Sequence, residues 1–183
     1  MLSAARLEVI CGPMFAGKTT ELIRRVCAAR TGGQAVAVFK PRSDHRYAQA
    51  ALVTHAGDAM PGIPVGAAEE IVGSAGGAEV IAVDEGHFFG QSLVPVCLAL
   101  LEAGKRVIVA GVERDHTGAP FEPFPTLLCE ADEVIKLSGP CAACGRPAVH
   151  SQRMLESAGR IVVGGAGMYE ARCRACFRPG KAG

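Results

Sequence analysis

The sequence predicts an α/β fold, a parallel sheet wrapped by helices, with a smaller cysteine-bearing lobe at its C-terminal end. Three observations carry that expectation. Short continuous apolar runs, Leu7–Ile10, Ala35–Phe39, Glu79–Asp84 and Arg106–Gly111, alternate with helix-forming stretches, the pattern of strands buried on both faces. The first run leads into Gly12-Pro13-Met14-Phe15-Ala16-Gly17-Lys18-Thr19, of the form G-x-x-x-x-G-K-[ST], with helix formers directly behind it. Beyond Gly139 the texture changes to cysteine, glycine and arginine, with two C-x-x-C pairs at Cys141/Cys144 and Cys173/Cys176. A boundary there divides the chain into residues 1–138 and 139–183.

Each element has a local reason. Lys18–Arg30 is amphipathic, with Leu22, Ile23 and Val26 spaced to face a core, and Thr31-Gly32-Gly33 ends it. A strand, this helix and a second strand in that order require a parallel pair joined by a right-handed crossover. The polar stretch from Lys40 to about Asp58 is too long for a simple connection and is expected to be a functional loop. Ala67–Val72 predicts a short helix, Leu93–Ala103 a longer one closed by Gly104, and Glu133–Leu137 a fifth strand. Cys11, Cys27, Cys97 and Cys129 lie on apolar segments and are expected to be small core residues.

The totals narrow the field. At 183 residues the chain suits one domain with a small appendage, and 49% hydrophobic with 20% charged residues is enough to bury a core. A net charge of +1 gives no footprint for nucleic acid or an anionic membrane. There is no segment of membrane-spanning length and no signal-peptide pattern, so the cytoplasm is the expected compartment. In a reducing compartment the eight cysteines are expected to be metal ligands or buried thiols, not disulfides.

The chemistry follows from three places. In Gly12–Thr19 the two glycines let backbone N–H groups turn into one concavity, and the positive end of the next helix faces it. Such a cradle takes a nucleoside triphosphate, with Lys18 reaching the outer phosphates and the Thr19 hydroxyl ligating Mg2+. Asp84 and Glu85 stand at the carboxyl end of a buried strand, where open α/β sheets bind ligands. Asp84 is expected to hold the Mg2+ shell and Glu85 to act as a base toward a hydroxyl or water. The two C-x-x-C pairs supply four thiolates, Cys141, Cys144, Cys173 and Cys176, for a closed structural Zn2+ site; the glycine-rich segment between them is then an excursion pinned at both ends. On residues alone, two readings stand: a kinase, or a nucleotide-driven ATPase or switch whose zinc lobe engages a macromolecule.

Taken together the motifs resemble the type II, zinc-containing thymidine kinases. Gly12-Pro13-Met14-Phe15-Ala16-Gly17-Lys18-Thr19-Thr20-Glu21-Leu22, Asp84-Glu85-Gly86-His87-Phe88-Phe89 and the paired knuckles carry the resemblance. Asp44-His45-Arg46-Tyr47, Pro120-Phe121 and Val163-Gly164-Gly165-Ala166 with Tyr169 extend it over about Leu7 to Phe177. It implies a RecA-like phosphate-loop domain, a lasso-like loop in the zinc lobe, and transfer of the ATP γ-phosphate to the 5′-hydroxyl of thymidine or deoxyuridine. By position, Glu85 matches the catalytic base. The ATP and Mg2+ side takes in Gly12 to Thr19, Asp44, His45, Arg46, Asp84, Gly86 and His87. The nucleoside side takes in Met14, Phe88, His116, Phe121, Tyr169 and the lasso residues Arg160, Ile161, Val162, Val163 and Gly164. A homotetramer and inhibition by the end-product triphosphate are further implied, and the net charge of +1 adds the expectation of no nucleic-acid or membrane partner.

The sequence departs from the family pattern mostly on the nucleoside side. His87 stands where the family usually has Gln, His116 where it has a stacking Phe, and Glu113 where it has Asp, while Gly167 and Met168 replace a more polar pair. An imidazole can still stack, but it is polar and titrates near neutrality. Altered base preference or weakened activity is the alternative these positions raise.

Overall fold

The computed structural model describes residues 5–44, 51–53, 59–154 and 167–179. In chain order these form β1 (Arg6–Cys11), α1 (Lys18–Thr31), β2 (Val36–Pro41), β3 (Ala51–Val53), β4 (Ala59–Pro61) and β5 (Ile63–Val65). Next come α2 (Glu69–Ser74), β6 (Val80–Val83), a 3-10 segment Gly86–Ser92, α3 (Leu93–Glu102), β7 (Arg106–Gly111), α4 (Phe124–Glu130) and β8 (Glu133–Lys136). Four short strands finish the chain: β9 (Gly139–Pro140), β10 (Pro147–Ala148), β11 (His150–Arg153) and β12 (Tyr169–Arg172). Six strands make one all-parallel sheet in the order β5-β2-β6-β7-β1-β8.

Strand alternation explains why the apolar runs are continuous. Leu7, Val9, Ile81, Val83, Val107 and Val109 point to the face covered by α2, α3 and α4, where Ile71, Leu93, Cys97, Phe124 and Leu127 meet them. The residues between them, Ile10, Val80, Ala82, Ile108 and Ala110, point to the opposite face, where Leu22, Val26 and Ala29 of α1 cover them. Both faces are dry, so a single buried strand needs apolar residues on both.

Glu8 is the exception on the α1 face, fully buried between Leu7 and Val9. It is held by Arg25 of α1 and by Arg106 of β7, whose Nε lies 2.6 Å from its carboxylate. Arg25 also reaches Glu21 at 2.9 Å and Glu133 of β8 at 2.7 Å, and Glu133 in turn pairs with Arg6. This lattice of charge lashes α1, β1, β7 and β8 together at the end of the sheet remote from the phosphate loop. Burial alone would raise the Glu8 carboxyl, but hydrogen bonds from Arg106 and Arg25 outweigh it and hold it below 4.5.

β9 pairs with β10, and β11 with β12, both antiparallel, around a small core of Cys141, Ala148, Ala171 and Cys173. The expected strands and the helices α1 and α3 fall within about two residues of their sequence bounds. Three expectations change. The polar stretch after Lys40 is not all loop, because β3 lies within it and pairs with β4 directly after it, burying Leu52 and Met60 in the core. Among the elements not expected from the sequence are β5 and α4, since Pro64 and Pro125 interrupt the usual strand and helix signals. Cys11 and Cys97 are buried as expected, but Cys27 and Cys129 are exposed. In α1 the core stripe is Leu22, Val26 and Ala29, which turns Cys27 outward.

Replacing Glu8 by leucine strands Arg25 and Arg106 without their shared counter-charge. It is expected to lower the unfolding free energy by about 3 kcal/mol or more in urea titrations. A hydrogen bond from Arg24 is the main cause that brings Glu21 down to about 2. With Glu8 and Glu21 both lowered on folding, their stabilisation is complete above the ordinary carboxylate value of 4.5 and fades as pH falls below it. The loss of urea resistance from pH 7 to 3 should therefore be smaller in the Glu8→Leu chain than in the unmodified one.

Candidate active site

The phosphate loop divides into two halves with different duties. Gly12 takes φ +143, and a Cβ there would lie 2.5 Å from the Leu137 carbonyl oxygen, so only glycine fits. Its N–H donates to Glu113 at 2.9 Å, and Lys136 Nζ holds that buried carboxylate from the other side at 2.9 Å. Pro13 has no N–H, and the Met14 N–H donates to Ser151 Oγ at 2.9 Å. The first half of the loop is thus anchored to distant elements, whereas in the second the Ala16 N–H donates within the loop, to the Pro13 carbonyl at 3.3 Å. There Gly17, at φ +83, caps α1 and turns the positive end of the helix toward the concavity. Lys18 is buried and lays its ammonium across the loop, donating to the Pro13 carbonyl at 2.8 Å.

β6 brings the two acids to this cradle across β7. Thr19 Oγ1 donates to Asp84 Oδ2 at 3.1 Å, and the Glu85 N–H donates to Asp84 Oδ1 at 3.0 Å. Burial, then the neighbouring Glu85 charge, push the Asp84 carboxyl up to about 7 against those hydrogen bonds. A buried carboxylate so short of positive charge, with a hydroxyl beside it, has the hard oxygen chemistry that suits Mg2+. Glu85 is held at φ +52, a left-handed conformation unusual outside glycine, which turns its side chain away from Asp84's strand direction. Its carboxylate lies 3.5 Å from His87 Nδ1. His87 packs between Phe88, at 4.3 Å between ring centres, and Phe121, at 5.3 Å, with the Val112 N–H 3.4 Å from its Nδ1. Asp44 is buried just past the end of β2, at the same edge of the sheet.

The β11–β12 ribbon closes the other side. Ser151 and Arg153 are two apart on β11, so both face one way, opposite Ala171 and Tyr169 of β12. Ser151 meets Met14, while Arg153 reaches His116 Nδ1 at 3.0 Å and lies 5.9 Å from the centre of the Tyr169 ring. On the opposite face His150 stacks on Phe177 at 4.2 Å. The ends of the β11–β12 connection are joined by the Met154 N–H donating to the Met168 carbonyl at 2.9 Å.

The sulfurs of Cys141, Cys144, Cys173 and Cys176 all lie within 4.8 Å of one another. A tetrahedral metal with metal–sulfur bonds of about 2.3 Å requires sulfurs about 3.8 Å apart, and Cys144 and Cys173 stand at 3.6 Å. Each pair turns the same way, with the Cys144 and Gly145 N–H groups directed at the Cys141 carbonyl and those of Cys176 and Phe177 at the Cys173 carbonyl. A hydrogen bond from Arg146 is the main cause that draws the Cys144 thiol down to about 6. The donor set fits a soft, four-coordinate ion such as zinc.

The structure joins Thr19 of the phosphate loop to Asp84, Glu85 to His87, His87 to Phe88 and Phe121, and, through Arg153, His116 to Tyr169. His45, Arg46 and the lasso residues 160–164 lie outside the described residues. Sequence reasoning passed over Ser151, Arg153, Glu113 as the loop's anchor, and Lys136. The alternating Ser151-Gln152-Arg153 after the first cysteine pair was the available signal for the first two.

A parallel sheet carrying a phosphate loop at one strand end and a carboxylate pair at a neighbouring end defines a phosphate-loop nucleotide-binding protein. Known proteins narrow the class. A family model described as thymidine kinase matches residues 5–177. A thymidine kinase of Rhodothermus sp. is 49% identical over 97% of this chain and 83% of its own length. Those of Bdellovibrio bacteriovorus, 43% identical over 94% and 85%, and Chloroflexus aurantiacus, 42% identical over 95% of each chain, are also similar. The chain belongs to the thymidine kinase family, and with it to the ATP-dependent transferases.

Ser151→Ala removes the acceptor for the Met14 N–H and frees the first half of the loop. It is expected to raise the KM for ATP roughly fivefold, the worth of about 1 kcal/mol, and Ser151→Thr should restore it. Steady-state kinetics with ATP varied at saturating thymidine provide the measurement.

Proposed function

We propose that the chain transfers the γ-phosphate of ATP to the 5′-hydroxyl of thymidine or deoxyuridine, a salvage step that makes DNA precursors. The observation that supports this reading is Asp84, which accepts from Thr19 of the phosphate loop through one oxygen and from the Glu85 N–H through the other. Gly12 to Thr19 would hold the triphosphate, with Gly86, His87, Asp44, His45 and Arg46 around it. Lys18 would leave the Pro13 carbonyl to meet the outer phosphates. Glu85 takes the proton of the 5′-hydroxyl as that oxygen bonds to phosphorus and the bond from phosphorus to the ADP oxygen breaks. Mg2+, held by Thr19 and Asp84, would neutralise charge on the phosphate oxygens.

Met14, Phe88, Phe121, His116 and Tyr169 would wall the nucleoside, and residues 160–164 would close over its base. Such closure keeps water from the γ-phosphate. We assign residues 1–138 to nucleotide binding and 139–183 to a lobe in which Zn2+, held by Cys141, Cys144, Cys173 and Cys176, is structural. No helix among the described residues is long and apolar enough to cross a membrane. A small-molecule substrate, no nucleic-acid or membrane partner, a cytoplasmic location and a homotetramer complete the reading; the net charge of +1 supports its electrostatic part.

A nucleoside panel with ATP and Mg2+, read as monophosphate formed, tests the substrate. Thymidine and deoxyuridine should be the acceptors, and ATP turnover indifferent to nucleoside would refute the reading. Glu85→Gln should keep ATP binding and fold while kcat falls by about 10^2–10^4. Full activity in that chain would remove Glu85 from its role. Metal analysis should find about one zinc per chain, as a closed four-cysteine site contributes to folding. Cys173→Ser should lose that zinc, and with it protection of the β9–β12 region from proteolysis.

A further inference from the structure

Arg153 is set between two walls of the nucleoside side. Its NH2 lies 3.0 Å from His116 Nδ1, and its guanidinium sits 5.9 Å from the Tyr169 ring centre. A guanidinium can only donate hydrogen bonds, so Nδ1 of His116 must accept, and the ring is neutral with its proton on Nε2. Protonating Nδ1 would set a second cation against Arg153 and break this contact. The same strand face carries Ser151, whose hydroxyl holds Met14 of the phosphate loop. Arg153 and His116 therefore border the space between the phosphate loop and the ribbon.

We propose that Arg153 is a positioning residue that acts through His116, holding it as an uncharged imidazole of fixed tautomer in the wall of the nucleoside pocket. His116 thereby becomes a specificity-determining position for an uncharged pyrimidine. The inference rests on the acceptor assignment above. Among the described residues, Arg153 from β11 lies against His116, with Tyr169 of β12 beyond that guanidinium, and Arg114 and Asp115 precede His116 on its own turn. Asp115 Oδ1 is occupied there, accepting from the Thr117 N–H at 2.9 Å, the Thr117 hydroxyl at 2.6 Å and the Ala119 N–H at 3.1 Å. Arg153, at 3.0 Å from Nδ1, opposes protonation of the ring there.

A mutant cycle over Arg153→Met and His116→Phe tests this, with the KM for thymidine and for ATP measured between about pH 6 and 8, the span over which an unrestrained histidine titrates. Turnover of thymidine by the unmodified chain comes first; without it the acceptor assignment itself fails. The unmodified chain should show a thymidine KM that is flat with pH. Arg153→Met should raise it about tenfold at pH 6, the worth of one charge-assisted hydrogen bond, and less at pH 8, with the KM for ATP unmoved. In the His116→Phe background, Arg153→Met should change the thymidine KM by less than twofold. Additive effects of the two substitutions, a pH-independent Arg153→Met, or an equal rise in the KM for ATP would each overturn the inference while leaving the acceptor assignment standing.

Discussion

The backbone amides of a phosphate loop must be divided between holding the loop and holding the ligand, and that division organises the structure. An N–H spent on protein is lost to phosphate, yet a loop with no such anchors pays the full entropy of ordering when the nucleotide arrives. In this chain the amides that tie the loop to distant elements come first, and the Ala16 N–H then bonds back to the Pro13 carbonyl. Gly12 and Met14 give their N–H groups to Glu113 and Ser151, and Pro13, between them, has none to give. The three anchoring residues come first, and the helix end that attracts anions comes after. Because Glu113 follows β7 and Ser151 belongs to β11, the loop's conformation depends on elements more than a hundred residues downstream.

The second consequence concerns Met14. Its N–H faces the ribbon and is turned out of the phosphate concavity, and in the proposed reading its side chain would wall the nucleoside. The β11–β12 ribbon completes the connection, with Ser151 on the loop and Arg153 on His116 from one face of one strand. The cysteine cluster lies at the root of this ribbon, since Cys173 directly follows β12 and the Ala142 N–H bonds to the Ala171 carbonyl. A structural metal there would act on catalysis only by holding the ribbon in register.

Much of this was legible in the sequence because it is local. The phosphate loop, the acidic strand end and the cysteine pairs are contiguous patterns whose chemistry is set by spacing alone. The buried strands β1, β6 and β7 announced themselves because a sheet covered on both faces leaves no room for polar alternation. What escaped was what depends on partners distant in the chain. Ser151 is an ordinary hydroxyl until β11 sets it against Met14. Glu8 reads as a polar residue at a strand start, and only strand alternation toward α1 shows that it must be buried against Arg25. β5 and α4 were hidden by prolines that are harmless on a sheet edge and in a first helical turn. Cys27 and Cys129 show the converse error, an apolar context mistaken for a buried position when helix phase decides exposure.

Glu85 brings these threads to one residue. A glutamate at φ +52 costs about 1 kcal/mol or more relative to the right-handed basins, and nothing in β6 itself requires that turn. The cost is offset where the turn is used: the Glu85 N–H caps the Asp84 carboxylate, and the Glu85 carbonyl accepts the Phe88 N–H at 3.0 Å. Gly86 can follow because a Cβ there would lie 2.7 Å from Val109. Continuing the strand without this turn would send successive side chains to alternate faces of the sheet, burying one of the two acids among apolar residues. The strained turn instead gathers both at the strand end, Asp84 against Thr19 and Glu85 toward His87. Two adjacent carboxylates can serve a cation and a proton separately only if the backbone between them breaks from the extended form, and the left-handed turn at Glu85 is that break.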